Sequence, residues 1–392
     1  MKQSIRERWL ILAVAILIGV SCGMVRAADT ASTGGHISYV GTLDHKLLIF
    51  DDDKEEVVGE IQLIGIPRST ILSADQKTLY IVNSKMAIEI VDLVARKVTG
   101  TIELSDEKNT PSILTDVRNW AYGADTLPRF SGVAVDPGGQ FLYATLRVVQ
   151  KDKSEYHLYP PKFAVINLDT KSVEKTFDFP KEYSKGFGFR STFKVSADGK
   201  YLWVFDSDIV IIDLSTFAIV DRIPLSKPPF PGASAYHLTA MNDPNDDANT
   251  VTTVSVSVDP IVHKGTIGLA TLNMASREVK YTPIGVALPM MGFMISPDRK
   301  FGYSVMYTGA GENRETEWWL WDIESHQVIK KEPFQSRQSI NFVMSTDGSK
   351  MFLYSSGNTV EVWDAKTLTS RKFIDLNKNI TTDWVILAAA KN

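Results

Sequence analysis

Hydrophobic positions along this chain come in short runs broken by Gly, Asn, Asp and Ser, with no sustained helical period. From Phe342 to Leu376 the sequence reads FVMSTDGSKMFLYSSGNTVEVWDAKTLTSRKFIDL. The apolar run Phe342–Met344 ends in the polar turn Ser345, Thr346, Asp347 and Gly348, and a second run spans Met351–Tyr354. After Gly357 and Asn358 come alternating Val360, Val362 and Trp363; Asp364 opens another turn, and Arg371–Leu376 follows. Short apolar or alternating runs between such turn residues predict strands joined by tight turns. The stretch is a four-stranded antiparallel unit.

The unit recurs, and its third turn marks each copy. Asp51, Asp92, Asn167, Asp213, Asn273, Asp322 and Asp364 each follow an apolar residue. In six of the seven copies a β-branched residue stands six places later; Ser370 is the exception. Asp or Asn closes the turn on its own backbone, and the β-branched residue starts the next strand. The markers lie between 41 and 75 residues apart, so the copies carry insertions. Six units are predicted at Thr70–Leu104, Phe130–Phe179, Ser191–Leu225, Tyr236–Ile284, Gly292–Phe334 and Ser339–Leu376. Ile37–Leu63 holds only three strands, and Thr382–Ala389 is a lone strand after the last unit. The expected fold is therefore all-β: a seven-bladed β-propeller of four-stranded antiparallel blades, the first blade closed by the C-terminal strand. A β-sandwich leaves seven aligned turns unexplained.

Met1–Ala27 stands outside this pattern. Lys2, Arg6 and Arg8 precede the apolar run Trp9–Val20, and Val25-Arg26-Ala27 offers small residues for cleavage. This reads as a signal peptide, which predicts a periplasmic or secreted protein whose mature chain, residues 28–392, is one propeller domain. Cys22, the only cysteine, lacks the favoured Leu of a lipid-attachment site at Gly19. Without it the chain has no disulfide, no thiolate metal site and no C-x-x-C-H haem attachment. A net charge of -4 with both signs mixed supplies neither a nucleic-acid stripe nor a polybasic membrane patch.

The first turn of the unit carries a family resemblance. SADQKTLYIV (Ser73–Val82), DPGGQFLYAT (Asp136–Thr145), SADGKYLWVF (Ser196–Phe205), SPDRKFGYSV (Ser296–Val305) and STDGSKMFLY (Ser345–Tyr354) resemble the S-x-D-G-K-x-x-Y-V motif of bacterial YVTN-type propeller repeats. These repeats belong to a superfamily that includes the propeller subunits of quinoprotein amine dehydrogenases. In that family the redox cofactor sits on a separate small subunit docked against the propeller, so the resemblance implies no cofactor in this chain. The chain lacks the paired cysteines of the methylamine dehydrogenase heavy chain. Trp321-Asp322 and Trp363-Asp364 resemble WD repeats, but their paired Gly-His element is absent.

Most long insertions fall in the loops joining the second and third strands of a unit, or one unit to the next. In a propeller both kinds lie on one face, where function concentrates. The loops are rich in aromatic residues, Trp120, Tyr122, Tyr156, Tyr159, Phe230 and Tyr236, with Trp318 and Trp319 just beyond the last. Arg68, Arg129, Arg190 and Arg337, with His237, stand just before the innermost strands of five units. Guanidinium groups converging there suit an anionic ligand or a carboxylate-bearing protein partner. The expected binding residues are Arg68, Arg129, Arg190, His237, Arg337, Trp120, Tyr122 and Tyr236. No catalytic or metal-ligating motif is present: the histidines show neither H-x-H nor H-E-x-x-H spacing. Asp243, Asp246 and Asp247 lack EF-hand spacing and read as a solvated turn, as does His326. The expected function is a binding or assembly scaffold that is not catalytic by itself; the alternative is the propeller subunit of an amine dehydrogenase-type complex.

Overall fold

The computed structural model describes residues 36–103, 126–151, 153–187, 191–225, 236–238, 243–258, 264–309, 313–335, 337 and 339–388. The chain divides into Met1–Ser32 and Thr33–Asn392, and every described residue belongs to the second unit. Apart from a 3-10 turn at Lys181–Tyr183, the regular structure among the described residues is β.

The strands follow the turn pattern closely. The chain begins with β1 (Ile37–Thr42), β2 (Lys46–Asp51) and β3 (Glu56–Gln62). A four-stranded sheet follows: β4 (Pro67–Leu72), β5 (Thr78–Asn83), β6 (Ala87–Asp92) and β7 (Lys97–Glu103). The next holds β8 (Thr126–Val135), β9 (Phe141–Lys151), β11 (Lys162–Asn167) and β12 (Ser172–Asp178), with a short β10 (Tyr156–Leu158) folded back on the far end of β9. Three more four-stranded sheets come in order. They are β13 (Thr192–Val195) to β16 (Ile219–Ile223) through β14 (Tyr201–Phe205) and β15 (Ile209–Asp213); β17 (Tyr236–Leu238) to β20 (Glu278–Val286) through β18 (Thr250–Val258) and β19 (Gly265–Asn273); and β21 (Met290–Ile295) to β24 (Gln327–Phe334) through β22 (Phe301–Thr308) and β23 (Glu315–Asp322). The last strands, β25 (Asn341–Met344), β26 (Lys350–Tyr354), β27 (Gly357–Asp364) and β28 (Thr369–Ile386), continue into the first three in a seven-stranded sheet ordered β25-β26-β27-β28-β1-β2-β3.

The lone terminal strand expected at Thr382–Ala389 is not separate. β28 pairs antiparallel with β27 through Ile380 and with β1 from Ile380 to Ile386. Between the two partners β28 bends: Asp375 Oδ1 accepts the Asn377 N–H at 2.7 Å, Asn377 is left-handed (φ 55°), and the β27–β28 register shifts between Gly357 and Thr359.

Seven turns explain the regularity. At Asp51, Asp92, Asn167, Asp213, Asn273 and Asp364 the side-chain Oδ1 accepts the backbone N–H groups two and three residues on, at 2.8–3.1 Å. Asp322 accepts the Ser325 N–H at 2.7 Å and the Ser325 hydroxyl at 2.6 Å. Four places after each marker the backbone turns left-handed, at Glu55, Arg96, Lys171, Phe217, Arg277, His326 and Leu368, with φ between 53° and 60°. None of these is glycine, so the turn imposes the conformation against an intrinsic cost of about 1 kcal/mol. In the first turns, Ser73, Ser196, Ser296 and Ser345 each donate to the Asp two residues on, at 2.6 Å. Each also accepts the N–H five residues on, at 2.9–3.0 Å.

The aromatic that ends this motif, Tyr80, Tyr143, Trp203, Tyr303 or Phe352, is buried between sheets. The core lies between successive sheets rather than within any one. Tyr39 and Leu47 pack with Leu79 and Ile81; Ile71 with Phe130; Tyr143 with Phe193; Trp203 with Val251; Val254 with Phe293; and Trp318 with Phe342 and Trp363, while Phe50 meets Phe352 between the two halves of the seven-stranded sheet. Two bulge glycines make room for this packing. Gly132 (φ 57°) and Gly292 (φ 67°) would each hold a Cβ 2.9 Å from a phenylalanine of the next sheet, Phe193 and Phe342. Several first strands also lie against one another, β4 against β8, β8 against β13 and β21 against β25, and β28 lies against β4 and β25.

Candidate functional site

The starts of the first strands carry the residues singled out by the sequence. Arg68 is the extra residue of a bulge, since Pro67 pairs with Asn83 and Ser69 with Val82. A bulge re-aims its side chain, and Arg68 is exposed. Arg129, on the adjacent strand β8, is also exposed. No ion pair or hydrogen bond joins either residue to another described residue.

Opposite Arg129 in the β8–β9 register stands Arg147. The two arginines therefore project from the same face of the sheet, where opposed like charges repel. Arg147 is half-buried and donates to the carbonyls of Lys185 at 3.2 Å and Phe187 at 2.5 Å. Carbonyl dipoles steady that cation without neutralising it. Nothing in the sequence around Arg147 marks it out; only strand register places it here.

Arg337 is differently placed. Its Nη2 donates to Glu361 Oε2 in β27, and its guanidinium lies 5.6 Å from the Phe373 ring centroid in β28. It is thus held by its own sheet. Tyr236 and His237 lie in β17, and their side chains are outside the described residues. So are Trp120, Tyr122 and Arg190, with Phe230 and most of the long inter-sheet loops. Trp318 and Trp319, just beyond the last of these loops, lie in β23, and both are buried. Trp318 stacks on Phe334 and Lys331 lies over Trp319. Tyr156 and Leu158 are the exposed members, 65% and 76% accessible, on the β10 extension.

Two other expectations need correction. Asp247 is exposed, but Asp243 and Asp246 are not part of a solvated turn. Asp243 accepts the Ile295 N–H of the next sheet at 2.6 Å, and burial pushes its carboxyl up to about 6. Asp246 accepts the Thr252 N–H at 2.6 Å and Arg299 reaches both Asp246 and Asp247, while the half-buried Lys194 of the preceding sheet donates to the Thr250 carbonyl at 3.1 Å. This loop clamps three sheets together. His326 is likewise half-buried, its Nδ1 2.5 Å from Thr282 Oγ1 of the preceding sheet, and burial lowers its pKa.

Two features have no signature in the sequence. Asp383, in the part of β28 that pairs with β1, is pushed up to about 6 by burial, with no described cation or donor against its carboxylate. At the junction of the first and last strands, His36 Nδ1 lies 2.6 Å from Asp53 Oδ1, and that bond lifts the imidazole pKa. Asp347 completes a group of three whose donor atoms lie within 4.8 Å of one another. Beneath them the buried Asp52 accepts Ser38 Oγ at 2.7 Å and the Thr346 N–H at 3.0 Å, and burial pushes it up to about 6.

No protein-family model and no curated protein matches the chain. Among solved structures, a functionally unknown protein from Desulfotomaculum acetoxidans aligns with a TM-score of 0.54 at 11% identity, over 90% of this chain and 99% of that one. Dihydro-heme d1 dehydrogenase NirN in complex with DHE aligns at 0.49 and 15% identity, over 89% of this chain and 74% of that one. Kuenenia stuttgartiensis hydrazine synthase aligns at 0.45 and 19%, over 76% and 77%. At such identities the first likeness is one of fold alone, and the other two are too distant to carry an argument. The layout of four-stranded antiparallel sheets is consistent with a β-propeller.

Proposed function

We propose that Met1–Ala27 is an export signal and that residues 28–392 fold as a YVTN-type, seven-bladed propeller acting as a non-catalytic binding scaffold. The reading of seven blades is supported by the seven equivalent turns and by apolar clusters between each sheet and the next. The pairing of β28 with β1 supports closure by both termini. The partner is anionic: an acidic protein segment or a small carboxylate, held where the first strands of adjacent blades begin. One observation carries this reading. Arg129 faces Arg147 across the sheet, with Arg68 on the adjacent strand, and no described carboxylate balances them. Membership of an amine dehydrogenase-type complex rests on the motif resemblance alone.

Binding of a labelled polyglutamate peptide, followed by fluorescence anisotropy at low and moderate salt, tests this reading. The unmodified protein binds, with affinity falling as salt rises. Arg68→Gln with Arg129→Gln weakens binding roughly tenfold, the sum of two partly exposed charge contacts. Equal binding by the double variant would refute the reading.

A further inference from the structure

We propose that His36, Asp53 and Asp347 form a binding site for a divalent transition metal, zinc by donor type, at the junction of the chain's first and last strands. The three come from separate segments: the residue before β1, the β2–β3 turn and the β25–β26 turn. Their donor atoms lie within 4.8 Å of one another. One imidazole nitrogen with two carboxylates suits zinc better than magnesium or calcium, which favour all-oxygen sets. Three protein ligands leave a fourth position open to water.

The geometry needs little change. Ligand atoms held tetrahedrally at about 2.0–2.2 Å from zinc sit roughly 3.3 Å apart. The His36–Asp53 contact of 2.6 Å has to open by less than about 1 Å, and both side chains are accessible enough to move, at 36% and 58%. Asp347 is held in place by its turn: its carboxylate accepts Ser345 Oγ at 2.6 Å, the Ser349 N–H at 3.0 Å and Ser349 Oγ at 2.7 Å. A carboxylate has about four lone-pair positions, so one stays free for an ion. The Lys350 ammonium already has partners, the Asp53 carbonyl among them at 3.4 Å. It donates to the Asp52 carbonyl at 2.7 Å and lies 3.0 Å from Glu55 Oε1. A metal here would join the start of the chain to its last sheet and strengthen the terminal junction.

Calorimetric titration of the untagged, metal-stripped full chain with zinc chloride tests the site. One equivalent binds saturably at micromolar concentration, and excess zinc raises the unfolding midpoint by about 2–4 °C. His36→Gln and Asp347→Asn each weaken binding at least tenfold. His157→Gln, which alters an exposed histidine on β10, leaves it unchanged. Unfolding midpoints without zinc show whether the variants remain folded; if Asp347→Asn loosens its own turn, His36→Gln alone decides. No saturable binding below millimolar zinc, binding that survives His36→Gln, or binding lost with His157→Gln would each overturn the proposal.

Discussion

At the scale of single residues, burial of charge opposes folding at Asp52, Asp243 and Asp383. Asp383 shows it most simply, because burial alone accounts for its raised pKa. A carboxyl near 3.8 when unfolded and about 6 when folded penalises the fold once it ionises. The penalty is absent below pH 4, grows between the two values and is complete above pH 6. A shift of about two units corresponds to on the order of 3 kcal/mol. Asp383→Asn is therefore expected to stabilise the protein by up to that amount at pH 7 and to match the parent at pH 4. Urea unfolding at the two pH values measures this; an equal difference at both would show that ionisation is not the cause. The arginines behave differently. Arg337 meets Glu361 in its own sheet, whereas Arg68 and Arg129 meet no described partner. Residue type and spacing are the same in all three, so only the neighbours brought by other strands separate them.

At the scale of the element, the unit is fixed by its turns. Each third turn asks for a side-chain acceptor at its first position and a left-handed residue four places later. Substituting the acceptor, as in Asp92→Ala, releases the Val94 and Ala95 N–H groups and should cost about 1 kcal/mol. The left-handed position gives a sharper contrast. Arg96 is exposed, so Arg96→Gly relieves the backbone and should stabilise by a few tenths to about 1 kcal/mol. Leu368 occupies the equivalent position but is fully buried. Leu368→Gly relieves the same backbone strain yet leaves a core cavity, for a net loss of about 2–4 kcal/mol. Chemical denaturation of the pair reads both signs. Destabilisation by Arg96→Gly would mean that its side chain contributes more than the backbone costs.

At the scale of the whole molecule, the terminal junction bears the largest load. Trp384 stacks on Phe352, meets Phe50 edge-on and donates to Ser38 Oγ at 2.9 Å. That serine bonds Asp52, which in turn holds the β25–β26 turn through Thr346. Deleting Thr382–Asn392 removes Trp384, Ile386 and Leu387 from the core and uncovers an edge of β1. The lost burial amounts to roughly 8 kcal/mol or more, so the unfolding midpoint should fall by at least about 10 °C. Scanning calorimetry of the truncated chain measures this, and an unchanged midpoint would show that the junction does not support the rest.

The repeat, its strands and its turns were legible in the sequence because each rests on contacts within about five residues. Asp92 finds the Val94 and Ala95 N–H groups whatever surrounds them, and Ser296 finds Asp298 in the same way. The shortfall of one strand in the first unit was legible too. Its remedy, a single strand shared by two partners, depended on pairing between residues at opposite ends of the chain. Tertiary structure alone decided the chemistry of the side chains between sheets. His36 meets Asp347, Asp243 meets Ile295, and Arg129 meets Arg147 only through strand register and sheet stacking. Local turn geometry is set by the backbone's own hydrogen-bonding needs, whereas a charge finds its partner only after sheets distant in sequence have packed.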